Sequence, residues 1–306
     1  MKGWLIICCA VNLMLGSVAA AQTLYKFPDD DGVMVFTDRK PVDLSDVEVR
    51  ELPLGKPGEV SLEWFQDNGR LSLMARNSLY APVQIRLLPD AAGKPGGFAG
   101  DWLVPADSSQ ELLAVEVGTT AARTMKRQRF MWLYGDPQAK HQPTEPYRAP
   151  FPAAVSYAIS QAFPQTVTHT TPDSLHAVDI AMPVGSNVLA ARAGVVVEVA
   201  STNFRSSLQP GQAGARANLV RIMHDDGTFA IYAHLNWNSI RVRPGDHVAR
   251  GQYIADSGNT GFSTGPHLHF VVVKNVGTRL ESLPVRFASA EGGDVVPATG
   301  SVLTAY

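Results

Sequence analysis

The chain has 306 residues, 45% of them hydrophobic and 18% charged. That is the composition of a folded protein with ample core, long enough for about two domains, and not of a disordered or fibrous one. A formal net charge of -2, with no long basic run, speaks against nucleic acid as a partner.

Residues 1–21 read as a secretory signal. Lys2 supplies the positive end, Trp4 to Leu15 is mostly apolar, and Ala19-Ala20-Ala21 offers small-residue cleavage before Gln22. The two cysteines, Cys8 and Cys9, both lie inside it. Ile6 and Ile7 precede them, where a lipoprotein signal uses small residues. The mature chain therefore has no thiol and no disulfide, and no membrane span is expected in it. Export without disulfides points to the periplasm or cell envelope of a bacterium. Any metal must be held by His, Asp and Glu.

Residues 22–57 read as a β-hairpin module and linker. Leu24 to Phe27 and Val33 to Asp38 flank the turn Asp29-Asp30-Asp31-Gly32. The pattern is similar to a small module at the start of many exported bacterial proteins. Residues 58–147 carry alternating runs at Val60–Phe65, Leu71–Ala75, Val83–Leu87, Gln110–Val117 and Arg129–Tyr134. Their spacing, broken by Asn-Gly, Pro and Gly-Gly, predicts a small antiparallel β-sandwich. It holds no cluster of catalytic residue types. Residues 148–160, in a proline-rich region with Pro150 and Pro152, read as a linker. The fold class is all-β throughout. From 161 to 290 nearly every segment reads as strand, with Gly-Asp or Asp-Gly turns, and 291–306 reads as a tail.

Seven of the eight histidines follow residue 151, which places the chemistry in this last domain. In His267-Leu268-His269-Phe270 the two imidazoles point to one face of a strand, and Leu268 and Phe270 to the other. Such a pair suits metal binding and proton transfer, although alone it is as readily a solvated strand end. His224, before an Asp-Asp-Gly turn, and His247 read as exposed. Asn218 and Tyr232 are candidates for hydrogen bonds near the site.

Five segments occur in order: Asp179-Ile180-Ala181-Met182-Pro183, Ala190-Ala191-Arg192-Ala193-Gly194-Val195-Val196, Tyr232-Ala233-His234-Leu235, Gly251-Gln252-Tyr253-Ile254 and Ser263 to Phe270. Together they resemble the lysostaphin/LytM-type zinc metalloendopeptidases, which cut the peptides of bacterial peptidoglycan. The resemblance covers about residues 160 to 275. It implies a β-rich domain with lipoyl-like hammerhead character and a zinc ion (Zn2+) held in part by Asp179 and His269. It also implies that His234 and His267 act on water and substrate.

The first ligand departs from the family pattern, because Leu175 stands four before Asp179 where the His is usual. His169 and His176 remain. Val178 and Ile180 are apolar and face the core, so Asp179 faces outward. A strand continued backward puts His176 on the wrong face. His169 is free of that register because Thr171-Pro172-Asp173-Ser174 can turn the chain between them. The reading favours His169 over His176 as the ligand.

Two other classes compete. Gly194-Val195-Val196 and Val242 to Gln252 resemble lipoyl and biotinyl carriers, but no Lys lies between Lys140 and Lys274 to carry the cofactor. Some relatives have lost zinc ligands and act as regulators that activate other wall hydrolases. Here candidates exist for all three ligands and both catalytic histidines, which favours the enzyme.

Overall fold

A computed structural model describes residues 58–88, 98–209, 216–290 and 292–306, with the backbone of three strands before them. The signal reading of 1–21 and the Asp29–Gly32 turn lie outside the described residues. The chain divides into two units, Met1–Gly58 and Glu59–Tyr306. In the first, Gln22–Pro28 pairs antiparallel with Met34–Thr37, the pairing expected of the hairpin. Glu48–Leu52, in the stretch read as linker, adds a third strand on the other edge.

The second unit begins with two three-stranded antiparallel sheets. One orders Val60–Asp67, Arg70–Asn77 and Ser108–Glu116; the other orders Gly100–Val104, Val83–Leu88 and Arg129–Tyr134. Period-two alternation explains the packing. Leu71, Leu73 and Ala75 point inward from one sheet and Val83, Ile85 and Leu87 from the other. A short helix, Thr120–Met125, closes the end. The Thr119 hydroxyl caps it by accepting from Ala122 N at 3.1 Å, and Ala122 and Met125 enter the core. The alternation-based reading did not place this helix, because one turn and a half is too short to show a helical period.

The rest of the unit is built on a nine-stranded sheet. Across its middle run Phe229–Ala233, Leu268–Asn275, Val178–Ile180 and Ser156–Gln161, each antiparallel to the next. One face is core: Ile180, Tyr232, Leu268, Phe270 and Val272 are fully buried there. Two stretches differ from their reading in the sequence. The linker region is packed, with Tyr147 and Phe151 buried and Ser156–Gln161 a strand of the sheet. Val302–Thr304, read as tail, pairs with that strand. Ile159 and Leu303 supply apolar side chains to the same core, which is why both segments are drawn in.

The sandwich is seated on the other face. Phe229, Val271 and Val273 pack there with Ala81 and Tyr134. The Arg221 guanidinium lies 4.9 Å from the centre of the Tyr134 ring. Fully buried Asn275 donates to Gln84 Oε1 and to Gly135 O, each at 3.0 Å. One strand, Leu268–Asn275, thus begins at the histidine pair and ends in the joint with the sandwich.

Candidate metal centre

Register builds the centre. Asp179 sits directly opposite His269, and residues opposite one another in a sheet share a face. Asp179 Oδ1 is 3.0 Å from His269 Nδ1. His169 comes from the loop that follows Gln161. Its Nε2 lies 3.2 Å from Asp179 Oδ2, and it is 3% exposed. The ligand atoms of His169, Asp179 and His269 all lie within 4.8 Å of one another.

The loop returns His169 by the turn chemistry read from the sequence. Ser174 N and Leu175 N donate to Thr171 O at 3.0 and 2.9 Å. The Thr171 and Ser174 hydroxyls meet at 2.7 Å. His176 goes elsewhere. Its Nδ1 meets Ser282 O at 3.2 Å, and its ring packs 4.8 Å from that of Phe163. The structure brings His169, not His176, beside Asp179.

Two more imidazoles border the trio. His234 follows the strand Phe229–Ala233 with φ +60°, a left-handed conformation that costs energy for a residue with a Cβ. Its Nδ1 is 2.6 Å from Thr260 O. His267 Nδ1 is 2.8 Å from Gly265 O. A carbonyl only accepts, so each Nδ1 carries a proton, and a neutral ring so held keeps its lone pair on Nε2. The rings of His234 and His267 are 4.5 Å apart, and His267 Nε2 is 3.7 Å from Asp179 Oδ1.

Burial and the positive fields of His267 and His269 push His234 down to about 4, so it is neutral at pH 7. For Asp179, burial acts upward, but hydrogen bonds with His169 and His269 outweigh it and hold the carboxyl well below its usual range. Among the described residues no Lys or Arg pairs with this buried carboxylate; its ion-pair contacts are all imidazoles. A buried anion needs a compensating cation. Two imidazole nitrogens and a carboxylate oxygen fit a divalent ion that takes three protein ligands and leaves one position open.

Other candidates fall outside the trio. Asn218, fully buried, ties the neighbouring loops together: its N donates to Thr260 Oγ1 at 3.0 Å and its Nδ2 to Asn203 O at 2.7 Å. Tyr232 lies on the core face, its hydroxyl accepting from Ala191 N at 2.7 Å. His247 is exposed. His224, expected to be exposed, is instead 2% exposed, with Nδ1 2.8 Å from Ala193 O. Its turn folds back beneath Tyr147, and burial depresses its pKa to about 4. The sequence reading did not find Gln161, whose Nε2 donates to Asp179 Oδ2 at 2.8 Å. Nor did it find the carbonyls of Thr260 and Gly265, since backbone acceptors leave no residue-type signal.

Residues 174–280 match peptidase family M23. An uncharacterized metalloprotease of Buchnera aphidicola is 34% identical over 150 residues, 48% of this chain and 35% of the relative. The peptidoglycan DD-endopeptidase ShyA of Vibrio cholerae is 40% identical over 95 residues, 31% of this chain and 19% of that protein. Among solved structures, lysostaphin from Staphylococcus simulans is 30% identical, over 39% of this chain and 43% of that one, with a TM-score of 0.30. The chain thus spans about a third or less of the length of these curated relatives.

Proposed function

We propose, from the premise that residues 174–280 form a domain of peptidase family M23, that this protein is a zinc-dependent endopeptidase of bacterial peptidoglycan. The observation that carries the reading is the convergence of His169, Asp179 and His269 within 4.8 Å, beside His267 and a neutral His234 whose Nε2 can accept a proton. Zinc bound there would lower the pKa of a water toward neutrality and polarise a substrate carbonyl.

The chain's own residues supply the rest. Neutral His234 can accept a proton at Nε2 at working pH, and the Thr260 carbonyl holds the tautomer that leaves that atom free. His267 is held the same way by Gly265, and either ring can donate to the oxyanion of a tetrahedral species once protonated. The substrate class rests on the printed name of the Vibrio cholerae relative. That name favours the cross-link between D-amino acids, as does a bacterial periplasm inferred from the signal sequence.

The test is purified mature protein with zinc and isolated peptidoglycan, the soluble products being read by mass spectrometry. Muropeptide dimers should fall and monomers rise, with about one zinc per chain in the protein. Well under one equivalent after supplementation, with no products, would leave instead a wall-hydrolase regulator that works by binding.

A further inference from the structure

The strand Ser156–Gln161 lies beside the Asp179 strand, and its register slips there. Ile159 pairs with Ile180, but Gln161 rather than Ser160 pairs with Asp179. Ser160 is the extra residue of a β-bulge. In an unbroken strand Ser160 would stand opposite Asp179, and Gln161 would turn with Ile159 toward the apolar core. A bulge re-aims a side chain in this way, and bulges concentrate beside active sites. Here it delivers a 7% exposed glutamine to the face that carries the ligands.

Every polar atom of that glutamine is used. Nε2 donates to Asp179 Oδ2 at 2.8 Å and to Thr168 Oγ1 at 2.8 Å. Oε1 accepts from Thr168 N at 2.8 Å and from Val167 N. Those two amides immediately precede His169. A metal-binding imidazole is ordinarily oriented through its second ring nitrogen. His169 lacks that support: Nδ1 is buried and has no hydrogen-bond partner. Its position must come from the backbone that carries it, and Gln161 clamps that backbone.

We propose that Gln161 is a positioning residue for the metal centre, orienting the Asp179 carboxylate with its amide N–H and fixing the His169 loop with its carbonyl oxygen. The proposal rests on His169, Asp179 and His269 being the metal ligands. It assigns two of the three to the control of one side chain.

Two variants separate the jobs. Gln161→Glu keeps an oxygen for the Val167 and Thr168 amides but turns an acceptor toward Asp179. Gln161→Met removes both functions at similar size. Zinc affinity is measured on the full mature chain by competition with a chromophoric chelator, and the absorption spectrum is recorded with cobalt at saturation. Second-sphere loss at a metal site costs about 10- to 100-fold in affinity. We expect that loss in Gln161→Glu, a loss at least as large in Gln161→Met, and a shifted cobalt spectrum in both. The metal-free Gln161→Glu protein should keep the far-ultraviolet dichroism of the parent. Affinity within twofold of the parent and an unchanged cobalt spectrum would overturn the proposal, because a merely structural glutamine would alter thermal stability and leave both readouts alone. The reading beneath it fails separately, when the parent itself holds no zinc that Asp179→Ala removes.

Discussion

His234 and His267 touch the centre differently from the trio beside them. Each gives its Nδ1 proton to a carbonyl on the segment between the strands Tyr253–Asp256 and Leu268–Asn275, and neither belongs to the group of two imidazoles and a carboxylate whose ligand atoms lie within 4.8 Å of one another. Under the proposed chemistry His234→Ala and His267→Ala should keep zinc. Loss of a positioned general acid or base costs about 10²- to 10⁴-fold in rate, so hydrolysis should fall by that much in each. His169→Ala, Asp179→Ala and His269→Ala should lose metal and activity together, and His176→Ala should keep both. Elemental analysis of the six variants beside their turnover decides it; zinc loss in His234→Ala or His267→Ala would reassign the roles. The residue types were legible because imidazoles two apart on a strand are poor core material. The protonated nitrogen of each was not, since Thr260 and Gly265 take part through their backbones.

At the scale of elements, the centre depends on how closely its loops approach one another. Gly258 lies against the turn that carries His234 and bridges to His267. A Cβ there would come within 2.6 Å of Asn236 Cα and N, all backbone. Gly258→Ala should therefore push the two loops apart. Overpacking of this kind costs about 1–3 kcal/mol, and a misplacement of about 1 Å near the chemistry can cost on the order of 100-fold in rate. The expected result is a protein with full zinc, lowered thermal stability and turnover reduced at least about tenfold. Unchanged turnover would mean that the loops yield without moving the histidines.

The strands themselves were readable, as period-two runs such as Leu71–Ala75 and Val83–Leu87 and as the His-Leu-His-Phe alternation. What alternation hides is its own interruption. Residues up to 160 read as linker, and even an unbroken strand there would point Gln161 inward; only the paired strand reveals the bulge. Val302–Thr304 stayed hidden for a related reason. Three residues are too few to show a period, and their partner lies at Ser156–Gln161, far away in sequence.

For the whole molecule, the joint between sandwich and large sheet is part of the fold. Asn275 is fully buried and serves Gln84 and Gly135 across it, and Phe229, Val271 and Val273 are buried against Ala81. Asn275→Ala strands a buried acceptor on Gly135, which costs about 1–3 kcal/mol. Thermal unfolding should show a lower midpoint with the sandwich and the large sheet still melting in one transition. A separate early transition would mean that they are independent.

Gln161, Asp179, His269 and Ala233 stand side by side across four strands. The next residues on that face, Val271 and Ile231, belong to the cluster that packs with the sandwich. Two residues of strand are about 7 Å. The joint with the sandwich therefore begins about that far behind the centre on this face. Under the proposed function, that joint would limit how far a bound peptide can extend on one side of the centre.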